Sequence, residues 1–170
     1  MSLLAWNAAG TGHDPNPAQM AYLRLRGLRC RLGGDDDRGV MPWSSRLELC
    51  ENDVDYLGHI TAAAHLKLFE DARSHWLAEV TSDPWPAFVV VRQELDYRRE
   101  LRLTDGPVTI TTEPPRLSRS TVTVHERMAS GRDTLHTESL AVLVRWDRER
   151  RRSMQFSARE RKRIEARLNA

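Results

Sequence analysis

Directly after Gly58 the hydrophobic period of the chain changes, and that change limits the folds open to it. Upstream, "SSRLELCE" alternates polar and apolar residues, as a half-buried strand does. Downstream, Ala62, Leu66, Phe69, Ala72 or Arg73, Trp76 and Val80 recur at steps of three and four. One face of a helix therefore carries Leu66, Phe69 and Trp76 toward a core. The helix is expected to begin between Ile60 and Ala62 and to run to about Glu79. There "SDPWP" stops it, because proline lacks an amide and its ring clashes with the preceding turn. Later segments read as strands: "AFVVVRQELDY", "PVTITTEP", "RSTVTVHERM" and "TLHTESLAVLVRW", the last two joined by the Gly-containing turn "ASGRD". The closing "SARERKRIEARL" has Ser157 and Glu160 at capping-box spacing and few apolar residues, so a peripheral helix is expected. One long helix backed by an antiparallel sheet of about five strands is an α+β layer architecture.

The 170 residues suit a single domain. An apolar share of 40% with 29% charged residues describes a globular chain, and a formal charge of +2 is too small to argue for nucleic acid. The basic segment from Arg145 to Arg167 has acids interspersed and few aromatic residues, so it reads as a solvated face. Only Cys30 and Cys50 are present, which points to a reducing compartment. No apolar run reaches the roughly 20 residues that span a bilayer, and no signal peptide is evident, so a cytoplasmic protein without a membrane partner is expected. Residues 1–42 lack a sustained period and read as a flexible extension, with the domain occupying 43–170.

The stretch "DVDYLGHITAAAHLKLFEDAR", Asp53 to Arg73, holds the chemistry. Its first helical amides have no internal partner and carry partial positive charge, so they are donors for an anion or a developing oxyanion. Gly58 permits a tight turn and a close approach. Asp55, on the same turn, would set a carboxylate beside whatever those amides polarise, either to attack a carbonyl or to activate water. Helix capping explains the same aspartates. A divalent metal is a third reading, but a hard cation wants more oxygen ligands than this loop offers, so no metal is expected.

The stretch resembles the signature of hot-dog-fold acyl-CoA thioesterases of the 4-hydroxybenzoyl-CoA thioesterase type, approximately Asp-x-Asp-x-x-Gly-His-Val-Asn-Asn followed by an aromatic residue and Glu-x-x-Arg. The similarity extends through "FVVVRQELDYRRELRLTD", "RLSRSTVTV" and "ESLAVLVRWDRE", over roughly residues 45–150. The resemblance implies a hot-dog fold and hydrolysis of an acyl-CoA thioester to acid and coenzyme A without a further cofactor. It also implies self-association to a dimer or tetramer with strands of two subunits joined. By position it makes Asp55 the catalytic carboxylate and Glu70 a second candidate. It places Gly58, His59, Ile60, Thr61, Ala62 and His65 at the oxyanion and substrate, and Arg116, Arg119 and Ser120 near the coenzyme A phosphates. Arg98, Arg99 and Arg102 are weaker candidates for the same phosphates.

Bland readings stand beside these. Glu70 and Arg73 are spaced as a surface ion pair, and His65 reads equally as an exposed or interface histidine. Thr61-Ala62 replaces the Asn-Asn of the motif. That departure keeps open a non-catalytic acyl-CoA-binding module, besides an acyl-carrier-protein thioesterase. Met41 stands just before the first strand, so it is a candidate start. Mass spectrometry of the native N-terminus is expected to find Met41, and an intact Met1 or Ser2 end refutes that start.

Overall fold

The computed structural model describes residues 29–32, 43–81, 83 and 86–166. The expected flexible extension, and Met41 with it, lies outside these residues apart from 29–32. Strands are β1 Arg29–Leu32, β2 Trp43–Leu47, β3 Phe88–Tyr97, β4 Val108–Thr112, β5 Arg116–Leu117, β6 Thr121–Ser130, β7 Thr134–Asp147 and β8 Arg152–Ser153. Helices are α1, Ala62–Thr81, and α2, Ala158–Ala166. All pairings are antiparallel and the order is β1-β2-β4-β6-β7-β3, with β5 on β6 and β8 on β7. The five expected strands are present, and the three additions are short. The fold class is as the sequence implied: a curled antiparallel sheet around one long helix.

Alternation on β4 and β6 sends Val108, Ile110, Val122, Val124 and Met128 inward, where they meet Leu68, Phe69, Ala72 and Trp76 of α1. The turn "SGRD" closes the β6–β7 hairpin with Gly131 at φ 56°, a left-handed conformation that costs glycine little. α2 is peripheral, as expected, and docks through one buried side chain. Its capping box is made: Glu160 N–H donates to Ser157 Oγ at 3.1 Å and Ser157 N–H to Glu160 Oε2 at 2.9 Å. Its Ile164 is fully buried, and Arg163 donates to the Thr81 carbonyl that ends α1.

The helical face differs from the expected one. Phe69 and Trp76 are buried, but Leu66 is 43% exposed, and the inner stripe includes His65 and Arg73 instead. The hydrophobic pattern placed the face too far round because it admitted Leu66 and left out His65. Arg73 donates to Glu126 Oε2 at 2.6 Å and to Gln93 Oε1 at 3.1 Å, and Ser139 also donates to Glu126. Burial pushes the Glu126 carboxyl up to about 7, with Arg73 and Ser139 opposing the shift. The expected Glu70–Arg73 pair is therefore absent, and Glu70 sits on the outer face 4.0 Å from Lys67.

Phe69→Ala is expected to cost about 3–5 kcal/mol by opening a cavity, whereas Leu66→Ala costs under about 1 kcal/mol. Urea unfolding compares them, and a larger loss at Leu66 contradicts this helix rotation.

Candidate active site

After β2 the chain makes a 3-10 turn, Glu51–Asp53, and then a tight loop to the start of α1. The loop is built by backbone bonds. Asp55 N–H donates to the His59 carbonyl at 2.8 Å, and Gly58 N–H to the Asp55 carbonyl at 3.0 Å. Gly58 lies at φ 83°, where a side chain would be strained, so the glycine of the motif is a conformational requirement. Asp55 Oδ1 accepts both the Leu57 and the His59 amide, each at 2.9 Å. One carboxylate oxygen is thus fixed by the turn, and Oδ2 has no partner among the described residues.

Two of the three expected oxyanion amides are already used. Ile60 N–H donates to the Leu101 carbonyl at 2.7 Å and Thr61 N–H to the Asp53 carbonyl at 2.8 Å. Thr61 Oγ1 accepts the Ala64 amide at 3.2 Å, the bond of an N-cap. The Ala62 and Ala63 amides take no acceptor among the described residues, so the free donors of the helix tip begin at Ala62.

A cleft of about 440 Å³ opens beside this tip, between the start of α1 and the chain leaving β3. Ala62, His65, His59, Tyr97 and Arg99 are among its walls. His59, Ile60, Ala62 and His65 are thus brought together, while Gly58 and Thr61 act from behind as backbone. Asp55 does not line the cleft but stands on the adjoining loop. His59 Nε2 meets Glu100 Oε2 at 2.8 Å, a half-exposed pair contributing at most about 1 kcal/mol.

His65 is buried rather than exposed. Its Nδ1–H donates to the Thr61 carbonyl at 2.9 Å, and Tyr97 packs edge-on against the ring at 5.2 Å between centroids. Its Nε2 is buried without a partner, an arrangement costing about 1–3 kcal/mol. Burial lowers its pKa, the bond to Thr61 opposes that, and His136 adds to it, so the neutral ring is favoured.

Other expected site residues lie apart. Glu70 is on the outward face of α1. Arg116, Arg119 and Ser120 flank the start of β6, where Thr121 pairs with Val144 and Val144 with Val89. Tyr97 pairs with Thr137 at the other end of β7, so these arginines stand roughly 20–25 Å along the strands from the cleft of their own chain. Arg98 and Arg99, by contrast, line it. Sequence reasoning missed Tyr97, Glu100 and Leu101. Their one signal was position, at or just past the end of a strand, and the His59–Arg102 bridge, the Ile60–Leu101 bond and the His65–Tyr97 contact reveal the meaning of that position. Among the described residues no three His, Cys, Asp or Glu side chains gather as a metal ligand set, and no helix is long and apolar enough to cross a membrane.

A family model described as the thioesterase-like superfamily matches residues 51–164. Among solved structures, a Thermus thermophilus thioesterase complexed with coenzyme A and zinc is similar at 27% identity. That match covers 75% of this chain and 94% of that one, with a TM-score of 0.67. A Staphylococcus aureus protein in complex with coenzyme A matches at 13% identity over 79% and 88% of the two chains, with a TM-score of 0.68. A predicted thioesterase from Bacillus stearothermophilus matches at 20% identity, over 74% and 95%, with a TM-score of 0.65. At those identities the last two show the fold alone. Among curated proteins none matches.

Because the folded His65 has a pKa below 6.5, its contribution to stability is complete above about pH 6.5. As the pH falls, the unfolded chain takes up the proton first, and stability is lost toward the lowered folded value. His65→Gln is expected to lose less stability than wild type between pH 7 and 5 in chemical denaturation, and parallel curves contradict this.

Proposed function

The chain belongs to the thioesterase-like superfamily and is a thioester hydrolase, and from that premise we propose that it cleaves acyl-coenzyme A thioesters with Asp55 driving the attack. The observation that carries this reading is the Asp55 carboxylate. Two amides hold one of its oxygens and leave the other unassigned, on the loop that leads into a helix tip with a free Ala62 amide. The thioester carbonyl would lie against that amide, where the helix dipole stabilises the charge that develops on oxygen. Asp55 either attacks the carbonyl carbon, expelling the coenzyme A thiolate and leaving an anhydride for water to open, or takes a proton from the attacking water. Both routes end in free acid and thiol, and neither requires a metal or further cofactor.

Self-association supports the remaining assignments. β3 is an edge strand whose Val89, Val90 and Val91 are exposed, a surface that favours pairing with a second copy. Antiparallel pairing of two β3 strands about their middle would set the partner's Val89 end beside this chain's Tyr97. The Arg116–Ser120 segment of the partner would then approach this cleft, which suits binding of coenzyme A phosphates across a subunit boundary. Glu70, outward on α1, reaches a site only in such an assembly. A tetramer would be a pair of these dimers. The intact N-cap at Thr61 argues against a dismantled, non-catalytic loop.

Thiol release from acyl-CoA is expected from a dimer or larger assembly and to fall on the order of 10²–10⁴-fold in Asp55→Ala and Asp55→Asn. Retained turnover in both variants removes Asp55 from the reaction. Binding of acyl-CoA without turnover in wild type would favour a binding module instead.

A further inference from the structure

His136, near the start of β7, is 1% exposed and is not a wall of the cleft. Its Nδ1 stands 2.7 Å from the Glu100 carbonyl oxygen, so Nδ1 carries the hydrogen and donates it. In the neutral ring Nε2 then accepts from Ser130 Oγ, 2.8 Å away across the β6–β7 hairpin. The His136 carbonyl accepts the Arg98 amide at 2.8 Å and the Arg99 amide at 3.2 Å. Among the described residues, the other polar ties of segment 98–100 to the sheet are the exposed ion pairs of Arg98 with Asp96 and Glu138. That segment in turn holds the loop of Asp55. The Leu101 carbonyl accepts the Ile60 amide, and Arg102 bridges to His59. One Glu100 carboxylate oxygen meets His59 Nε2 and the other meets Arg102, each at 2.8 Å. His59 N–H donates to Asp55 Oδ1, and its carbonyl accepts the Asp55 amide.

We infer that His136 is a positioning residue of the hydrolytic site, setting through Glu100 and His59 where the Asp55 carboxylate stands relative to the helix tip. The inference rests on the reading of Asp55 given above. The helix and the loop are fixed to the sheet by different groups. α1 is held by its apolar face and by Arg73 on Glu126. The loop leans on the segment after β3, and its remaining printed backbone bonds run within the loop itself. The separation of carboxylate and Ala62 amide therefore depends on two supports, and His136 belongs to only one of them. A side chain in its place must donate to a buried carbonyl while being held still itself. Imidazole does both in one rigid plane, one nitrogen on Glu100 and the other on Ser130. A displacement of about 1 Å between reacting groups is enough to slow a reaction on the order of a hundredfold.

Thiol release from acyl-CoA by the full chain is measured for His136→Leu, His136→Asn and Ser130→Ala, each also in an Asp55→Asn background. His136→Leu is expected to lower kcat on the order of 10–100-fold. His136→Asn, whose amide nitrogen stands where Nδ1 stood, recovers most of that, and Ser130→Ala loses roughly threefold by loosening the ring. In the Asp55→Asn background none of the three slows the residual reaction by more than about twofold, because no carboxylate is left to place. Equal slowing in both backgrounds gives His136 a general structural role and overturns the inference, as does full activity in His136→Leu. Should His136→Leu not fold, the milder Asn and Ala variants decide by the same comparison. If Asp55→Asn keeps full turnover, or no acyl-CoA is hydrolysed, the catalytic reading fails separately. Amide hydrogen exchange of Ser130→Ala and His136→Asn then tests the placement alone. Faster exchange at His59 and Ile60, on the order of tenfold, with the β4–β6 ladder unchanged supports it, and a uniform change or none overturns it.

Discussion

A buried charge pair sets the rotation of the central helix. Arg73 and Glu126 are almost wholly out of water, and neither can be left alone there. Losing one partner of such a pair costs about 3–5 kcal/mol, so the helix must present Arg73 to β6 and to no other surface. Gln93 from β3 and Ser139 from β7 complete the network, which therefore spans three strands and the helix. Apolar packing alone tolerates a helix turned by a few tens of degrees, whereas a guanidinium with fixed donors does not. Eight residues earlier, a little over two turns at 3.6 per turn, the same face carries His65 toward the cleft. The helix register that satisfies the ion pair is thus the one that aims the first turn at the site.

The loop before the helix solves a second problem, which is to keep donors free while holding the chain still. Ile60 and Thr61 give their amides to Leu101 and Asp53, tying the loop to the segment after β3 and to its own start. The Thr61 hydroxyl oxygen accepts the Ala64 amide. Asp55 takes the two amides of the turn. What remains unassigned on the loop and helix tip is small: one carboxylate oxygen on the turn, and the amides of Ala62 and Ala63. The loop is thereby tied at four backbone amides and one carboxylate oxygen.

The strands and both helices were legible because each depends on a local period or cap. β6 and β7 alternate, "SGRD" has a turn glycine, and Ser157 with Glu160 caps its own helix. What was not legible depends on partners far along the chain. Arg73 and Glu126 are 53 residues apart, and nothing local to either one marks them as a buried pair. Leu66 read as core because periodicity cannot tell an inward arginine from an outward one. The site was half legible for the same reason. Its loop is contiguous, so Asp55 and Gly58 stand out, but Leu101 joins it through the Ile60–Leu101 bond beside the His59–Arg102 bridge, and Tyr97 through its ring contact with His65. The distance of Arg116 and Arg119 from their own cleft likewise follows from strand register, which composition does not reveal.

The departure from Asn-Asn at Thr61-Ala62 is explained by where the chemistry resides. The donor at the helix tip is a backbone amide, which every residue except proline supplies. Position 61 needs a side chain that caps, and threonine caps. Position 62 needs an amide left accessible, and alanine adds only a methyl group beside it. The loop geometry is held by Gly58, Asp55 and backbone hydrogen bonds such as those of Ile60 and Thr61, none of which involves an asparagine side chain. What the substitution removes is a polar side chain at position 62, on the wall of the cleft, while position 61 keeps one. The carboxylate and the amide stay where the backbone puts them, whichever side chains stand at these two positions.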